Sequence, residues 1–464
     1  MIGFLARTLD NRLRASKFLR SAINHVFPDH WSFMLGEIAL YCFVILVATG
    51  IFLAMFYDGS SAKVIYHGSY GPLRGVEMDK ALESVIHICF DVPAGLLIRQ
   101  IHHWAANVFI GAILVHQARI FFTAAFRKPR ELNWVVGMTL LILAIVNGYL
   151  GYSICGDLLS GAGMRIGYSI MLSIPVIGPW ITFLFMGGTV PVDATLPRMY
   201  ALHIFLVPAL ITLLIVIHLG IVWRQMHTNY PGPHRTNKTI VGSRLWPSYT
   251  LKSLGLFLLI FAVLAALGGL VQIDPVWVYG PYNPVAILPG AQPDWYLGWI
   301  EGAMRLFPGV HIASSGKLWF PEVFFPAVLF PMGLFILLYL YPFLDELFTF
   351  DAREHHVLRL PWEQPFNTAF GCGLIALLVV LEFAGADDVV ALAGNYSVVE
   401  IRDILRILVF VVPVITWAVA YVLCRRARRR HLERQKLEIV ESIAGPGCSA
   451  RRADSSAEVM EPQA

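Results

Sequence analysis

Eight stretches of this sequence are apolar enough, and long enough, to cross a lipid bilayer as α-helices. Hydrocarbon about 30 Å thick needs roughly 20 apolar residues of helix to span it. The predicted spans run near residues 34–57, 95–124, 134–153, 197–223, 248–271, 322–342, 366–384 and 405–424. Because 57% of the 464 residues are hydrophobic and only 14% are charged, a soluble domain could not bury this much apolar surface. The sequence therefore predicts an all-α polytopic membrane protein.

Two shorter apolar stretches lie between the third and fourth predicted spans. They cover residues 157–172 and 174–186, and prolines and glycines interrupt them. Neither is long enough to cross the bilayer, so we expect interfacial helices within a loop. Another short helix is expected after Pro293.

Basic residues are concentrated in alternate connections. They precede the first span, separate spans two and three and spans four and five, and follow the eighth: Arg12, Lys17, Arg20; Arg119, Arg127, Lys128, Arg130; Arg224, Arg235, Lys238, Arg244; Arg425, Arg426, Arg428. Since cytoplasmic loops carry the excess of Lys and Arg, both termini are predicted on the cytoplasmic side. The charged tail after about residue 431, which is rich in Ala and Ser, is predicted to be disordered.

Four histidines inside predicted spans form a repeated pattern. His102 and His116 lie on the second span, and His203 and His218 lie on the fourth. Fourteen residues are close to four helical turns, so His102 and His116 share a helix face about 21 Å apart. The other pair, fifteen residues apart, also stays on one broad face. Because a single span separates the two helices, they run in the same direction, and His102 can face His203 while His116 faces His218.

This arrangement is typical of two haem irons that are each held by two imidazoles. Haem iron takes axial histidine ligands, and ionisable groups inside a membrane are usually functional. A single histidine would more often be a hydrogen-bonded core residue, but four at this double spacing favour ligands. His103, about 100° round the helix from His102, is expected to face the protein or the interface. The sequence has no C-x-x-C-H motif, so covalent c-type haem is not indicated.

Pairs of glycines repeat the fourteen-residue spacing on the two spans that lack these histidines. Gly36 and Gly50 lie on the first span, and Gly137 and Gly151 lie on the third. Glycine allows a haem to approach a helix closely, although small residues also serve ordinary helix packing in membranes. The shared period favours the first interpretation.

Two arginines precede the outer histidines. Arg99 and Arg198 could pair with haem propionates, because guanidinium groups bind carboxylates in a forked geometry. They could equally be interfacial side chains that extend their charge toward water. The sequence leaves both interpretations open.

Several motifs resemble those of the cytochrome b family of quinol:cytochrome c reductases. They are Arg99-Gln100-Ile101-His102, His116, the two glycine pairs, Gly151-Tyr152, Gly187-Gly188, Ala194-Thr195-Leu196-Pro197-Arg198, His203 and Pro293-Asp294-Trp295-Tyr296. The match covers roughly residues 25 to 425. Residues 27–33, 127–134 and 157–161 look most like actinobacterial members. Those members usually use menaquinol and work with a Rieske iron–sulfur subunit and a di-haem cytochrome c.

The resemblance implies two non-covalent b-type haems and two quinone sites. His102 with His203 would hold an outer, low-potential haem, and His116 with His218 an inner, high-potential haem. Quinol would give one electron to the iron–sulfur partner and the other, by way of both haems, to a quinone near the cytoplasm. Protons released outside and taken up inside would contribute to the proton motive force.

A short segment after the fifth span would form the outer quinol site. The resemblance assigns this site to Pro293, Asp294, Trp295 and Tyr296, and a carboxylate is a suitable proton acceptor for quinol. Without the other motifs, Asp294 would be interpreted as an ordinary acid at a helix start. Glu301, two turns further along, is a candidate for relaying the proton.

The sequence also departs from the family pattern. Asp294 stands where many members have glutamate, which is consistent with a low-potential quinol such as menaquinol. Ser253, near the start of the fifth span, stands where the mitochondrial type has an acidic residue. The proton donor of the inner quinone site is therefore left unassigned. A homodimeric complex and association with a terminal oxidase are implied by the resemblance alone.

The chain is predicted to divide into four parts. These are a cytoplasmic N-terminal segment (1–33), a di-haem four-helix bundle (34–230), a C-terminal four-helix quinol-site domain (231–425) and a basic tail (426–464). Two other functions stay open. A di-haem membrane anchor of another respiratory dehydrogenase would use helical histidines too, but such anchors are usually shorter and lack the Pro-Asp-Trp-Tyr segment. A proton-coupled transporter would show two repeated halves with broken helices, and the sequence shows no such repeat.

Overall fold

Eight helices that are long and apolar enough to cross a membrane form the framework of the described part of the chain. This computed structural model describes residues 10–444, apart from 11, 13, 14, 191, 287, 289 and 290. We name the helices α1 (Trp31–Ala54), α2 (Gly95–Phe122), α3 (Glu131–Ser153), α4 (Thr195–Gln225), α5 (Leu245–Leu270), α6 (Phe325–Thr349), α7 (Pro365–Gly385) and α8 (Val398–Ala444). Each predicted span overlaps one of them, so the predicted all-α fold with eight spans is confirmed.

Helix α8 is much longer than its predicted span. It begins at Val398 and continues to Ala444, so the prediction of disorder after about residue 431 is wrong as far as Ala444. The extension is rich in Arg, Leu, Glu and Lys, which favour helix. Arg429 also pairs with Glu433 one turn further on, at 2.9 Å. The rest of the predicted tail, residues 445–464, lies outside the described residues.

The connection between α3 and α4 holds the two short helices that the sequence predicts. They run over Leu158–Leu172 and Gly178–Met186. The Asp157 carboxylate accepts a hydrogen bond from the Leu159 N–H at 3.2 Å and so caps the first helix. Gly187 ends the second helix with a φ of +88°, a conformation that glycine adopts without strain.

The connection between α5 and α6 carries the helix that is expected after Pro293. This helix runs over Trp295–Leu306, and Asp294 occupies its N-cap position. This short helix packs against α7. Its Gly302 lies so close to the Leu381 carbonyl of α7 that a Cβ would not fit between them. The packing fixes the start of the short helix relative to the rest of the bundle.

Three antiparallel pairs of short strands connect the loops. The pairs are Val26–Pro28 with Gly242–Arg244, Lys63–Ile65 with Glu77–Asp79, and Ile312–Ser314 with Lys317–Phe320. The first pair joins the segment before α1 to the segment before α5. It therefore keeps the beginnings of α1 and α5 next to each other.

Helices α1 to α4 surround a common apolar core, and α5 packs against this bundle. Gly268 of α5 lies so close to α2 that an added Cβ would be 3.0 Å from the Ile101 backbone nitrogen. On outward faces large apolar side chains are exposed, such as Leu270 at 84%, as expected for surfaces that lipid or other subunits cover. Because α5 packs against α1 and α2, the predicted domain boundary at residue 230 stays a prediction.

Candidate functional site

The rings of His102 and His203 face each other across the space between α2 and α4. Their centroids are 6.2 Å apart and their planes are inclined by 77°. A metal ion that binds two opposed imidazoles, with bonds of about 2 Å and ring centres about 1 Å further out, places those centres about 6 Å apart. The observed separation therefore leaves room for one metal ion between the rings.

Neighbouring helices hold the second nitrogen of each ring. His203 Nδ1 donates to the Asn147 carbonyl of α3 at 3.0 Å, and His102 Nδ1 lies 2.9 Å from the Thr49 hydroxyl of α1. The Thr49 hydroxyl donates to the Ile45 carbonyl at 2.7 Å, so its oxygen accepts from His102. Hydrogen bonds of this kind fix the tautomer and leave the lone pair of Nε2 free to bind a metal.

The two predicted glycines of α1 lie against two of the histidines. A Cβ added to Gly36 would be 3.2 Å from His116 Cε1, and a Cβ added to Gly50 would be 3.3 Å from His102 Cε1. Both distances are shorter than ordinary van der Waals contact. A side chain at either position would therefore push on an imidazole that the sequence predicts to be a ligand.

The two predicted glycines of α3 lie near the other two histidines, at unequal distances. A Cβ added to Gly151 would be only 2.5 Å from His203 Cε1, whereas one added to Gly137 would be 3.8 Å from His218 Cε1. At Gly137 the closer neighbour is the Gln117 amide nitrogen, at 2.7 Å, which is the mobile end of a side chain. The close approach is therefore strict at Gly151 and looser at Gly137.

The end of the bundle that holds His116 and His218, which we call the His116 end, contains several buried polar atoms without partners. The opposite end, with His102 and His203, is the His102 end. The Nδ1 atom of His116 is buried and has no hydrogen-bond partner among the described residues. Buried polar groups are normally satisfied, so this nitrogen is an exception.

Arg119 adds to this shortage of partners at the His116 end. It lies one turn beyond His116, and its buried Nε and Nη2 atoms have no partner within the described part of the chain. Its guanidinium carbon is 4.1 Å from the centroid of the Phe33 ring. An anionic group such as a carboxylate would satisfy both nitrogens. The sequence analysis missed this role, because it treated Arg119 only as one of the basic residues that orient the bundle.

A cavity of about 570 Å³ includes the gap between His102 and His203. Gly50 lines it beside the histidines, and Asp294 and Tyr296 line the same cavity from the connection between α5 and α6. Cavities of this size hold cofactors and small organic molecules. The structure thus brings the predicted ligand pair and the predicted quinol-site residues into one continuous space.

Asp294 belongs to a cluster of four polar side chains at the His102 end. Its Oδ2 accepts from the Tyr296 hydroxyl at 2.7 Å, and its Oδ1 lies 3.3 Å from His103 Nε2. The same His103 nitrogen is 3.4 Å from Asp274 Oδ2. The ligand atoms of His103, Asp274 and Asp294 all lie within 4.8 Å of one another, a spacing that a divalent cation could also bridge.

Burial shifts the pKa of two members of this cluster. It raises the pKa of Asp274, and the neighbouring Asp294 carboxylate acts in the same direction. It also raises the pKa of the Tyr296 phenol well above its ordinary value. Tyr296, which is only 3% exposed, therefore stays protonated near neutral pH and donates to Asp294.

The sequence analysis assigned no function to two members of the cluster, His103 and Asp274. It expected His103 to face the protein or the interface, and the structure shows that His103 reaches Asp274 and Asp294. These aspartates are 171 and 191 residues away along the chain. The one available signal was an ionisable group inside a predicted span, and it could not identify the partners.

The remaining residues of the predicted quinol segment lie in different surroundings. Trp295 is 43% exposed, and its ring lies 3.7 Å from the Cβ position of Gly111 on α2. Glu301 instead pairs with Arg305 at 2.8 Å, and Arg305 also binds Asp387 at the end of α7. The structure therefore places Glu301 in a second charged cluster, and its predicted relay with Asp294 stays a prediction.

The two predicted propionate-binding arginines differ in their contacts. Arg99 Nη2 donates to the Asp274 carbonyl at 3.0 Å, while its buried Nη1 has no partner within the described residues, and Arg99 lines the cavity. Arg198 donates to the Phe183 and Leu184 carbonyls at 2.6 and 3.1 Å. Arg99 thus has a free donor for an anionic group, whereas Arg198 binds the short helix Gly178–Met186 that precedes α4.

Comparisons with known proteins agree with this geometry. A family model described as cytochrome b(N-terminal)/b6/petB matches residues 107–281. The cytochrome bc1 complex cytochrome b subunit of Mycobacterium tuberculosis (strain ATCC 25618 / H37Rv) is 46% identical over 438 residues, which is 92% of this chain and 78% of the relative. The subunit of the same name from Streptomyces coelicolor is 43% identical over 91% of this chain and 77% of its own length.

A solved structure has the same fold. A chain of a hyperthermophilic respiratory Complex III superposes with a TM-score of 0.66 at 22% identity. The match covers 89% of this chain and 99% of that one. Because the similarity spans nearly the whole of both chains, it includes the helices beyond the histidine-bearing bundle.

Proposed function

Because the chain belongs to the cytochrome b subunits of cytochrome bc1 complexes, we propose that its two histidine pairs and its Asp294 cluster carry out the transmembrane part of quinol:cytochrome c oxidoreduction. The chain is the catalytic membrane subunit of such an enzyme. The predicted resemblance is confirmed, since the identity extends over 92% of the chain. The two alternatives, a dehydrogenase anchor and a proton-coupled transporter, have no support.

We assign the two histidine pairs to two b-type haems. When bound, these haems would supply one-electron transfer along the axis of the bundle. The support at the His102 end is the 6.2 Å separation of the two rings. At the His116 end it is the pair of buried Arg119 nitrogens without partners among the described residues, together with the close approach of Gly36 to the His116 ring. Arg99 and Arg119 are the donors best placed to meet carboxylates of such a group.

We assign quinol oxidation to the pocket at Asp294. The observation that supports this best is the single cavity that includes both Asp294 and the gap between His102 and His203. Asp294 accepts the proton of a quinol hydroxyl, while Tyr296 and His103 hold its carboxylate in place. Removal of this proton makes the quinol a stronger reductant, so proton acceptance and electron release belong to the same site.

We further propose an orientation and a set of partners. The basic connections support an orientation in which the His116 end and both termini lie on the cytoplasmic side of a bacterial plasma membrane. The bc1 relatives and the absence of a covalent haem motif in this chain favour a Rieske iron–sulfur subunit and a separate, di-haem cytochrome c subunit. Menaquinol as substrate, a homodimeric complex and contact with a terminal oxidase follow from the actinobacterial likeness.

The proposal is tested by counting non-covalent haem in the purified complex. Extraction with acidified acetone separates b-type haem from covalently attached haem, and a pyridine haemochrome spectrum then quantifies it. We expect about two b haems per chain, and about one after His203→Ala or His116→Ala, because each substitution removes one axial ligand. A folded complex without b haem, or variants that keep both haems, would contradict the assignment.

A further inference from the structure

Glu37 is an acidic residue inside the apolar helix α1, at the His116 end of the bundle. It follows Gly36, which lies against the His116 ring. Carboxylates within membrane spans are costly and are usually functional. We propose that Glu37 passes protons to a quinone that binds at the His116 end. This inference rests on the proposed function, and it supplies the inner proton donor that the sequence leaves unassigned.

Three hydroxyl groups surround the Glu37 carboxylate. Tyr249 of α5 donates to Oε1, while Ser253 donates to Oε2 at 2.6 Å. Tyr41, one turn along α1, donates to the same oxygen at 3.3 Å and also contacts the Ser253 hydroxyl. These three donors come from two helices, α1 and α5, so they fix the position of the carboxylate between them. The cluster also offers the carboxyl group several hydroxyl partners with which it can exchange a proton.

Ser253 on α5 has no carboxyl group of its own, and the carboxyl group beside it belongs to Glu37 on α1. Ser253 stands where the mitochondrial type carries an acidic residue on the fifth span, and here its hydroxyl lies 2.6 Å from the Glu37 carboxylate. The negative charge thus occupies nearly the same place in space, although a neighbouring helix supplies it. The strand pair before α1 and α5 keeps the two helices in this register.

An aromatic wall continues from Glu37 toward two histidines with free nitrogens. Tyr249 stacks on Phe27 at 4.2 Å between centroids, and Phe27 lies 4.5 Å from the His227 ring. His25 stacks on Trp223 at 4.3 Å. The Nε2 atoms of His25 and His227 are buried without partners among the described residues. Stacking surfaces with hydrogen-bonding groups at two places are what a flat ring with two oxygens requires.

An ion pair close to the Glu37 cluster is exposed to water. Lys252, next to Ser253, binds Asp29 at 2.7 Å, and the side chains of these two residues are 53% and 41% exposed. Hydrogen bonds from Lys252 and from Ser243 hold the pKa of Asp29 below its usual range, so Asp29 stays ionised. The titratable groups that face Glu37 are Tyr41 on its own helix, Tyr249 on α5 and, beyond Ser253, this ion pair.

Reduction of one quinone to quinol consumes two protons and two electrons. The electrons come one each from two quinols oxidised at the His102 end, because each of these quinols gives its other electron to the iron–sulfur partner. In each half of the reaction the Glu37 carboxyl breaks its O–H bond and gives the proton to a quinone oxygen as one electron arrives. The carboxylate then recovers a proton from water on the side of Lys252 and Asp29, and the step is repeated.

The test uses the intact complex with the outer site slowed by Asp294→Asn. In this parent, quinol added to the oxidised complex reduces b haem from the His116 end by the reverse of the proposed step. We expect Glu37→Gln to slow this reduction by about 100-fold or more and to remove its dependence on pH. Glu131→Gln, which changes a carboxyl at the same end on α3, is the matched control and should keep the parent rate.

A second variant separates proton transfer from a structural role. Glu37→Ser combined with Ser253→Asp moves the carboxyl across the 2.6 Å hydrogen bond, and we expect it to restore most of the rate that Glu37→Ser alone loses. Infrared difference spectra on haem reduction should show a carboxyl band in the parent that is absent in Glu37→Gln.

Three results would overturn the proposal. One is a Glu37→Gln complex with the rate and pH profile of the parent. Another is an exchanged variant that keeps both haems but does not recover the rate, which would indicate that Glu37 only joins α1 to α5. If the Asp294→Asn parent itself shows no reduction by quinol, the inner quinone site of the proposed function fails, and the role of Glu37 fails with it.

Discussion

The two ends of the α1–α4 bundle carry the same histidine pattern but use different supporting groups. At the His102 end, neighbouring helices bind the Nδ1 atoms of both histidines. At the His116 end the Nδ1 atom of His116 is buried without a partner in the described structure. The aspartates at the His102 end, Asp274 and Asp294, come from the connection between α5 and α6, whereas Glu37 at the other end belongs to a membrane helix.

This difference indicates how one fold can release protons at one side and take them up at the other. Groups on a connection lie near the aqueous phase and can pass a proton outward. A carboxylate within a span needs polar groups between it and water, and the exposed Lys252–Asp29 ion pair lies beside Ser253, which binds Glu37. Four variants test the difference between the two ends, and they follow in order of expected effect.

The largest effect is expected from the glycines of α3. Gly151→Ala places a methyl 2.5 Å from His203 Cε1, and His203 cannot easily retreat because it is bound to the Asn147 carbonyl. We expect the b haem content to fall from about two to about one per chain, since one iron loses its ligand geometry. Gly137→Ala is the matched control at the His116 end, where only the Gln117 amide must move. Equal haem loss in both variants would contradict the asymmetry.

The next effect concerns proton acceptance at the His102 end. Asp294→Asn keeps the shape of the side chain but removes its basicity, so cytochrome c reduction by quinol should fall by about 100-fold or more. Haem content should stay at the wild-type value, which a haemochrome spectrum checks. Gln292→Asn, on the same connection, is a suitable control because it changes no charge. Retention of more than half the activity in Asp294→Asn would remove Asp294 from the mechanism.

A smaller effect is expected from the tyrosine that orients this carboxylate. Tyr296→Phe removes one hydrogen bond of 2.7 Å to Asp294, and a bond to a charged group contributes about 1.5–3 kcal/mol. We expect turnover to fall about tenfold at unchanged haem content, because the carboxylate is no longer held in one orientation. The steady-state rate of cytochrome c reduction by quinol measures this effect. A wild-type rate would restrict Tyr296 to packing.

The smallest effect concerns stability at the His102 end. Burial raises the pKa of Asp157 to about 6, so the protonated form is favoured in the folded chain. The corresponding stability is complete below about pH 4 and is lost as pH rises through about 6. Asp157→Asn keeps the helix cap and removes this loss, so its melting temperature should change less between about pH 5 and 8. A wild-type melting temperature that does not fall over that interval would contradict the burial argument.

Much of the fold and part of the site could be predicted from the order of residues along the chain. Apolar length predicted all eight spans, and it failed only for α8, where a polar helix continues the apolar one to Ala444. The fourteen-residue period identified the two glycine pairs, and the structure brings each of these four glycines near one of the four histidines. Helical geometry makes such predictions possible, because residues separated by whole turns lie on one face whatever the rest of the chain does.

The membrane helices, the helix faces of the four histidines and the family of the chain can all be derived from the order of its residues. The groups that assist the histidines become visible only once the helices are packed. His103 meets Asp274 and Asp294, and Glu37 meets Ser253, which is 216 residues away along the chain. Contacts of this kind depend on how helices pack and how loops return to the bundle, and no periodicity along the chain records them. The spacing of residues along a helix determines which face each residue occupies, whereas the packing of distant segments determines which groups can exchange protons.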